Sequence, residues 1–279
     1  MKRLRQIFLM MLVLLLCGLG ILFYSYKIEP ASLVINQIDL DISSLNEKLV
    51  IVQLSDIEIS KNYKPNNLKN VVEKVNRLNP DLIVFTGDLF SNYALYKPTT
   101  EVITYLSQLD ASLGKYAIFG NNDHGGGAVR QYENIMNQSG FIVLKNESQT
   151  IQLASGETIY MTGLDDDLLG NSNIVDAFVN YDKQSSLNLL LIHEPYLIDH
   201  LLDYPYDLAL SGHTHGGQID FPFIDTSLLL SPLENKYLSG LYSFDNQRQT
   251  TLYVNHGLGT SRLPLRFMVP PEITIFTLH

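Results

Sequence analysis

The chain has 279 residues, 46% of them hydrophobic and 17% charged, enough apolar material for a large core and far too much for a disordered chain. It carries 19 basic against 29 acidic side chains. Four of the basic ones, Lys2, Arg3, Arg5 and Lys27, fall in the first 27 residues, so the rest holds 15 against 29, a field that excludes non-specific binding to nucleic acid.

Behind the basic head, residues 7–24 run without a single charge. At ~1.5 Å rise per residue this stretch approaches the ~30 Å hydrocarbon thickness of a bilayer. A cleaved signal peptide is the alternative, but the run ends in Phe23-Tyr24-Ser25-Tyr26-Lys27, aromatic and basic, which suits a membrane interface rather than a cleavage site. Three cations before the span and one after it place the N-terminus in the cytoplasm and the remainder on the outer face of the cell membrane, as a single-pass protein. Cys17, the one cysteine, lies inside this run, so intramolecular disulfides and thiolate zinc sites are excluded. The expected organisation is a basic head and transmembrane anchor at 1–27, a tether and domain entry at 28–48, and one domain at 49–279.

Within the domain, Leu49-Val50-Ile51-Val52-Gln53-Leu54 reads as a buried strand. Pro65 then opens a helix whose Leu68, Val71, Val72, Val75 and Leu78 follow helical spacing, and residues 81–86 form the next strand, closing a right-handed βαβ unit. A helix at 100–109 and a strand at 116–119 repeat the theme. Further strands are expected at 158–163, 187–192, 208–211, 251–255 and 273–278, giving an α/β fold rich in strands.

Polar residues follow these strands directly. Ser55-Asp56-Ile57-Glu58 ends the first, Thr86-Gly87-Asp88 the second, and Gly120-Asn121-Asn122-Asp123-His124 the third. His193-Glu194 ends a fourth and Gly212-His213-Thr214-His215 a fifth. Carboxyl ends of parallel strands converge on one crevice, so these residues should form one cluster. Each signal has a bland reading: Gly-Asp as a turn, Asp123 as a helix cap, His193 as a buried hydrogen-bonded histidine. Their joint recurrence at five strand ends points instead to a two-metal site, because carboxylate, amide and imidazole donors suit Mn, Fe, Zn or Mg. Two such ions ~3.5–4 Å apart can clamp a phosphoryl group and acidify a bound water. In a turn, His213 and His215 can flank two metals. Asp165, Asp166 and Asp167 read as a solvated loop.

At these residues the chain resembles the calcineurin-like metallophosphoesterases, whose signature runs Asp-x-His, Gly-Asp, Gly-Asn-His-Asp, His, Gly-His-x-His. Four of the five blocks stand between Asp56 and His215. The anchor, the block Tyr253-Val254-Asn255-His256-Gly257-Leu258-Gly259-Thr260, and Pro264-Leu265-Arg266-Phe267 with Pro271-Glu272-Ile273-Thr274 are similar to the membrane-anchored bacterial branch, which includes hydrolases like UDP-2,3-diacylglucosamine pyrophosphatase. The resemblance implies a four-layer α/β/β/α sandwich holding two divalent metal ions, Mn first among them. It implies hydrolysis of a phosphodiester, phosphomonoester or pyrophosphate by a metal-bound hydroxide, on an envelope phospholipid or lipid-linked nucleotide.

Carried over by position, Asp56 and His215 hold one metal, Asp88 bridges, and Asn121, His193 and His213 hold the other. Two positions depart from the signature. Glu58 replaces a ligand histidine and, if it ligates, tilts the site toward Mn or Mg. Asn122 replaces the histidine credited with protonating the leaving oxygen, and an amide delivers no proton at neutral pH. His124 or His256 would have to substitute, and Asp123 would orient a histidine. Arg262 and Arg266 are expected to meet a substrate phosphate. The competing reading is a degenerate member that binds metal or a phosphorylated ligand without turnover.

Overall fold

Period-two alternation sends the side chains of each strand into different cores. In β2 (Leu49–Leu54), Ile51 enters one apolar cluster while Val52 and Leu54 enter another. The computed structural model, which describes residues 2–181, 183–222 and 235–279, resolves that alternation into stacked layers.

The first sheet has the order β1-β12-β2-β3-β4-β5, with β1 at Val34–Leu40, β3 at Leu82–Phe85, β4 at Lys115–Ala117, β5 at Phe141–Val143 and β12 at Glu272–Leu278. The second runs β10-β11-β9-β8-β7-β6, from β6 (Glu147–Gln152) and β7 (Thr158–Gly163) through β8 (Leu187–Leu191), β9 (Leu208–Ser211) and β10 (Gly240–Ser243) to β11 (Thr251–Val254). Between the sheets lies a dry core in which Ile51, Leu82 and Val84 meet Met161, Leu189 and Leu210. The outer face of the first sheet is covered by α2 (Leu68–Arg77), α3 (Thr99–Leu106) and α5 (Tyr132–Gln138), which lay Val71, Val75, Val102, Leu106 and Ile135 on Leu54, Ile83 and Phe85. The outer face of the second is covered more thinly, by α6 (Ile174–Ala177) and a 3₁₀ turn (Pro195–His200) that bury Ala177, Leu197 and Ile198 against Leu190 and Val254. The four-layer α/β/β/α sandwich is therefore present.

The N-terminal helix α1 (Lys2–Phe23) continues through a π-turn (Tyr24–Ile28) and a 3₁₀ turn (Glu29–Ala31). This segment of 30 residues reaches a mean hydropathy of 2.8, with none of its most apolar stretch buried. Its far end is not free. Ser25 and Glu29 are buried against the domain, the Ser25 carbonyl accepts from the Arg266 amide at 3.0 Å, and Tyr24 meets Phe267 edge-on at 6.2 Å. Nor is 28–48 a simple tether, since β1 within it pairs in parallel with β12, Val34 opposite Glu272. The alternation in β1 is weak because it is an edge strand with much of its length exposed.

Strands β2, β3 and β4 are mutually parallel, as are β8, β9 and β11. The loops after all six gather along one edge of the sandwich.

Candidate metal centre

The loops after β2, β3 and β9 leave their strands through left-handed backbone, at Asp56 (φ 46°), Glu58 (φ 54°), Asp88 (φ 60°), His213 (φ 71°) and His215 (φ 52°). Non-glycine residues adopt this region at a cost, and five together mark a place where the fold holds side chains against local preference. Gly212 shows how tight the packing is, since a Cβ there would lie 2.2 Å from Asp56 Oδ2.

Two groups of donor atoms result. In the first, His215 Nε2 lies 3.6 Å from Asp56 Oδ1 and 3.7 Å from Glu58 Oε1. In the second, Asn121 Oδ1 lies 2.9 Å from His213 Nδ1 and 3.2 Å from His193 Nε2, which is itself 3.5 Å from Asp88 Oδ2. Asp88 stands between them: ligand atoms of Asp56, Asp88 and His193 all fall within 4.8 Å of one another. His213 and His215 thus face different groups from one turn, as their spacing suggested. Glu58 occupies the place of the family histidine, inside the first group.

These residues fit metal ions on three counts. Nδ1 of His193 lies 2.6 Å from the Thr86 carbonyl, which fixes the ring with Nε2 toward Asp88 and Asn121; against the pull of burial the Asp88 carboxylate holds this imidazole well above its usual pKa, so that Nε2 is the place for a proton or for an ion. Burial pushes His213 and His215 down to about 4, so both imidazoles stay neutral. Glu58 Oε2 and His215 Nδ1 are buried without a hydrogen-bond partner. Meanwhile burial and the charge of Asp56 push Glu58 up to about 8, and burial also raises Asp88, with its histidine neighbour opposing the rise. Three buried carboxylates in contact require compensating positive charge, and divalent cations supply it.

A polar chain holds the floor. Gln53 donates to Thr86 at 3.1 Å, Thr86 to Ser55 at 2.8 Å, and Ser55 to Asp56, all within the buried interior. Ser55 and Thr86 were legible only as neighbours of acids.

Asn122 is engaged on both hydrogens. Its Nδ2 donates to Glu58 Oε1 at 2.7 Å and to Asp88 Oδ2 at 2.9 Å, while its backbone N–H donates to Asp88 Oδ1 at 2.8 Å. The side chain therefore bridges the two acids across the metal groups. Asp123 does not orient a histidine. Its buried carboxylate accepts from the amides of Asp88 at 2.9 Å, Leu89 and Gly120, and so caps the short helix α4 (Asn121–Gly125) and fixes the Asp88 loop.

Of the two expected replacements for a proton donor, His124 is occupied elsewhere and His256 is not among the residues lining the cavity over the metal groups. His124 Nε2 pairs with Asp165 Oδ1 at 2.8 Å, and its ring meets Phe119 at a tilt of 37°, centroids 4.9 Å apart. His256 lies behind Gly216, with Nδ1 3.7 Å from Glu272 Oε2. Asp165 and Asp166 are buried rather than solvated: the first accepts from His124 and the Asn171 amide, the second from the amides of Leu169 and Gly170. Backbone amides there replace water, which residue types alone do not disclose.

The two arginines part company. Arg262 lines a cavity of about 520 Å³ with Asp88, Ser91, Asn121, Asn122 and His213, where a substrate would enter. Arg266 does not reach it. Its guanidinium is fully buried and donates to the carbonyls of Gly259, Val269, His256 and Gly257, which corrects the expectation of a phosphate contact. Gln218, overlooked in the sequence, lines the cavity and donates to the carbonyls of Leu263 and Leu265, pinning its rim.

The family profile described as Calcineurin-like phosphoesterase matches residues 49–217, more than half of the chain. The chain is 43% identical over 228 residues to YkuE of Bacillus subtilis, an uncharacterized metallophosphoesterase, covering 82% of this chain and 78% of that one. It is 30% identical over 279 residues to the UDP-2,3-diacylglucosamine pyrophosphatase LpxG of Chlamydia muridarum, covering 81% and 82% respectively. A zebrafish transmembrane protein with a metallophosphoesterase domain is 30% identical over 237 residues, covering 81% of this chain and 52% of that one. With its strand-end ligands gathered into two donor groups that share Asp88, the chain belongs to the calcineurin-like metallophosphoesterases, a family of hydrolases built on a dimetal centre.

Proposed function

We propose that the protein is a membrane-anchored phosphoesterase whose substrate is a lipid-linked phosphoester with a good leaving group, a pyrophosphate first of all. The observation that carries the second clause is Asn122. Both of its amide hydrogens are spent on Glu58 and Asp88, and His124 is held by Asp165, so neither of these two side chains serves to protonate a poor leaving oxygen. A phosphate leaves without such help. The name of the chlamydial relative, a pyrophosphatase for a diacylated sugar nucleotide, supports the same class.

Asp56, Glu58 and His215 would hold one ion, Asn121, His193 and His213 the other, and Asp88 both. Carboxylate in place of imidazole at position 58 favours Mn or Mg over softer ions. Ions held there would supply Lewis acidity toward phosphoryl oxygens and lower the pKa of a bound water. The protein's own contribution is placement: Asn122 locks the two acids, Asp123 fixes the Asp88 loop, and Arg262 lines the entry. The apolar helix, with Lys2, Arg3 and Arg5 before it and Lys27 after it, supports an anchor with the N-terminus inside and the domain on the outer face.

A second reading, metal or phosphoester binding without turnover, draws on the same Asn122. The test is one preparation of the full chain in mild detergent, since the end of the helix packs on the domain. Elemental analysis counts the metal, and bis-p-nitrophenyl phosphate hydrolysis is followed with added Mn²⁺. Turnover lost in Asp88→Asn supports the enzyme; bound metal without turnover leaves the binder.

A further inference from the structure

The segment between β11 and β12 carries features that the metal centre does not use. Leu263 and Met268 each expose 56% of their surface, large apolar side chains on an otherwise acidic domain. The same segment grips the end of the apolar helix: the Arg266 amide donates to Ser25, and Phe267 meets Tyr24 on one side and Phe221 at 4.7 Å on the other. It also forms the wall between two cavities. On one side Ser261, Arg262 and Leu263 rim the cavity above Asp88 and His213. On the other, Thr260, Pro264 and Pro271 border a groove of about 730 Å³ that contains Lys27, Lys61 and Lys69 and one acid, Glu73.

Position follows from the helix. The charge-free part of α1, residues 7–23, spans about 26 Å at ~1.5 Å per residue, close to the thickness of the hydrocarbon layer. The residues after Phe23 then enter the headgroup layer, which is roughly 5–8 Å deep on each side. Tyr24 and Ser25 lie in its first few ångströms, and whatever touches them lies at the same depth. Phe267 and Arg266 do touch them, which carries Leu263 and Met268 to the bilayer surface.

Resting on the reading of α1 as a membrane anchor, we propose that residues 260–268 and the lysine groove form a second contact with the bilayer, and that this contact sets the mouth of the metal centre at the membrane surface. Leu263 and Met268 seat among the lipid glycerol and upper acyl groups. Lys27, Lys61 and Lys69 meet anionic headgroups, against the negative charge of the domain at large. A lipid-linked phosphoester then passes over Leu263 and Arg262 to the metal ligands without leaving the layer in which its acyl chains are held.

The test uses the full chain with Cys17→Ser, reconstituted in phosphatidylcholine vesicles containing phosphatidylglycerol. A single cysteine is introduced by Leu263→Cys, by Met268→Cys or, in α6 on the outer face of the second sheet, by Val175→Cys, where the residue is 70% exposed. Each is labelled with an environment-sensitive fluorophore. Labels at 263 and 268 should emit to the blue of the label at 175 and be quenched several-fold more strongly by lipids carrying a nitroxide high on the acyl chain. Omitting phosphatidylglycerol should weaken that quenching. Equal quenching at 263, 268 and 175 overturns the proposal. The readout needs no turnover, so an inactive protein whose labels are quenched would refute the enzyme reading and leave the surface standing.

Discussion

Replacing Arg266 by Met separates the role the structure gives it from the one its sequence suggests. Its guanidinium donates to four main-chain carbonyls between His256 and Val269 and has no exposed surface. Burial lowers it to about 10, with Asp56, Glu272 and Glu29 opposing, so it remains charged at neutral pH. Methionine matches much of its length but leaves those carbonyls buried without donors. At ~1 kcal/mol each, the low end for an unsatisfied buried group, the loss is about 4 kcal/mol. For a domain of this size each kcal/mol moves the midpoint by ~2–4 °C, so melting should fall by about 8–16 °C. The assay is thermal unfolding of the full chain in detergent beside KM for bis-p-nitrophenyl phosphate. Arg266→Lys, which keeps the charge but not the planar fork, should fall between the two. A melting point within ~2 °C of the parent with a raised KM would show that the guanidinium contacts substrate, and the clamp would be wrong.

Four further outcomes follow from the site. Chelation should lower the melting temperature and Mn²⁺ should restore it, by up to ~4 kcal/mol at a thousandfold excess over Kd, because Asp56, Glu58 and Asp88 lose their counter-charge; an unchanged melt would mean that the acids are balanced by protons. Glu58→Ala should reduce the bound metal from about two ions per chain to one, read by elemental analysis. Gly259→Ala should weaken metal binding by roughly 10–100-fold, since its Cβ would lie 2.4 Å from Glu58 Cβ and from the Ile57 carbonyl; titration with Mn²⁺ tests this, and unaltered affinity would show that the loop yields without moving Glu58. Asn122→His should speed hydrolysis of alkyl phosphodiesters by at least ~10-fold while leaving p-nitrophenyl esters nearly unchanged, a split that a purely structural effect would not produce.

The parts of the fold that are buried on both faces could be read in advance. β2 and β8 are apolar except for one amide each, Gln53 and Asn188, and α2 shows Val71, Val72 and Val75 at helical spacing, so their positions follow from periodicity. The ligands were legible for a related reason: Asp88, Asn121 and His213 each stand immediately past a strand that could only point one way. Edge strands were not. β5 spans three residues, β6 is largely exposed, and β10 alternates without an apolar face strong enough to mark it. Buried polar groups were hardest. Arg266, Asp165 and Asp166 belong to residue types that normally face water, and their burial depends on how their own loops fold back to bring main-chain partners three to ten residues away onto them. Asp123 illustrates the limit well, because the same carboxylate serves equally as a cap or an orienting group until its three amide partners are known.

The place of β12 has a consequence for how this molecule is made. β12 is an interior strand, parallel to β1 on one side and antiparallel to β2 on the other, and it consists of almost the last residues of the chain. The first sheet is therefore split until β12 emerges: β1 has no neighbour, and the exposed edge of β2 must wait while everything from β3 to β11 is made. Contacts of such long sequence separation form slowly, and unpaired edges are the species that aggregate. On the reading of α1 as a membrane anchor, the nascent domain waits for β12 one molecule at a time and at a surface, held apart from its copies during the interval when it is most able to pair with them.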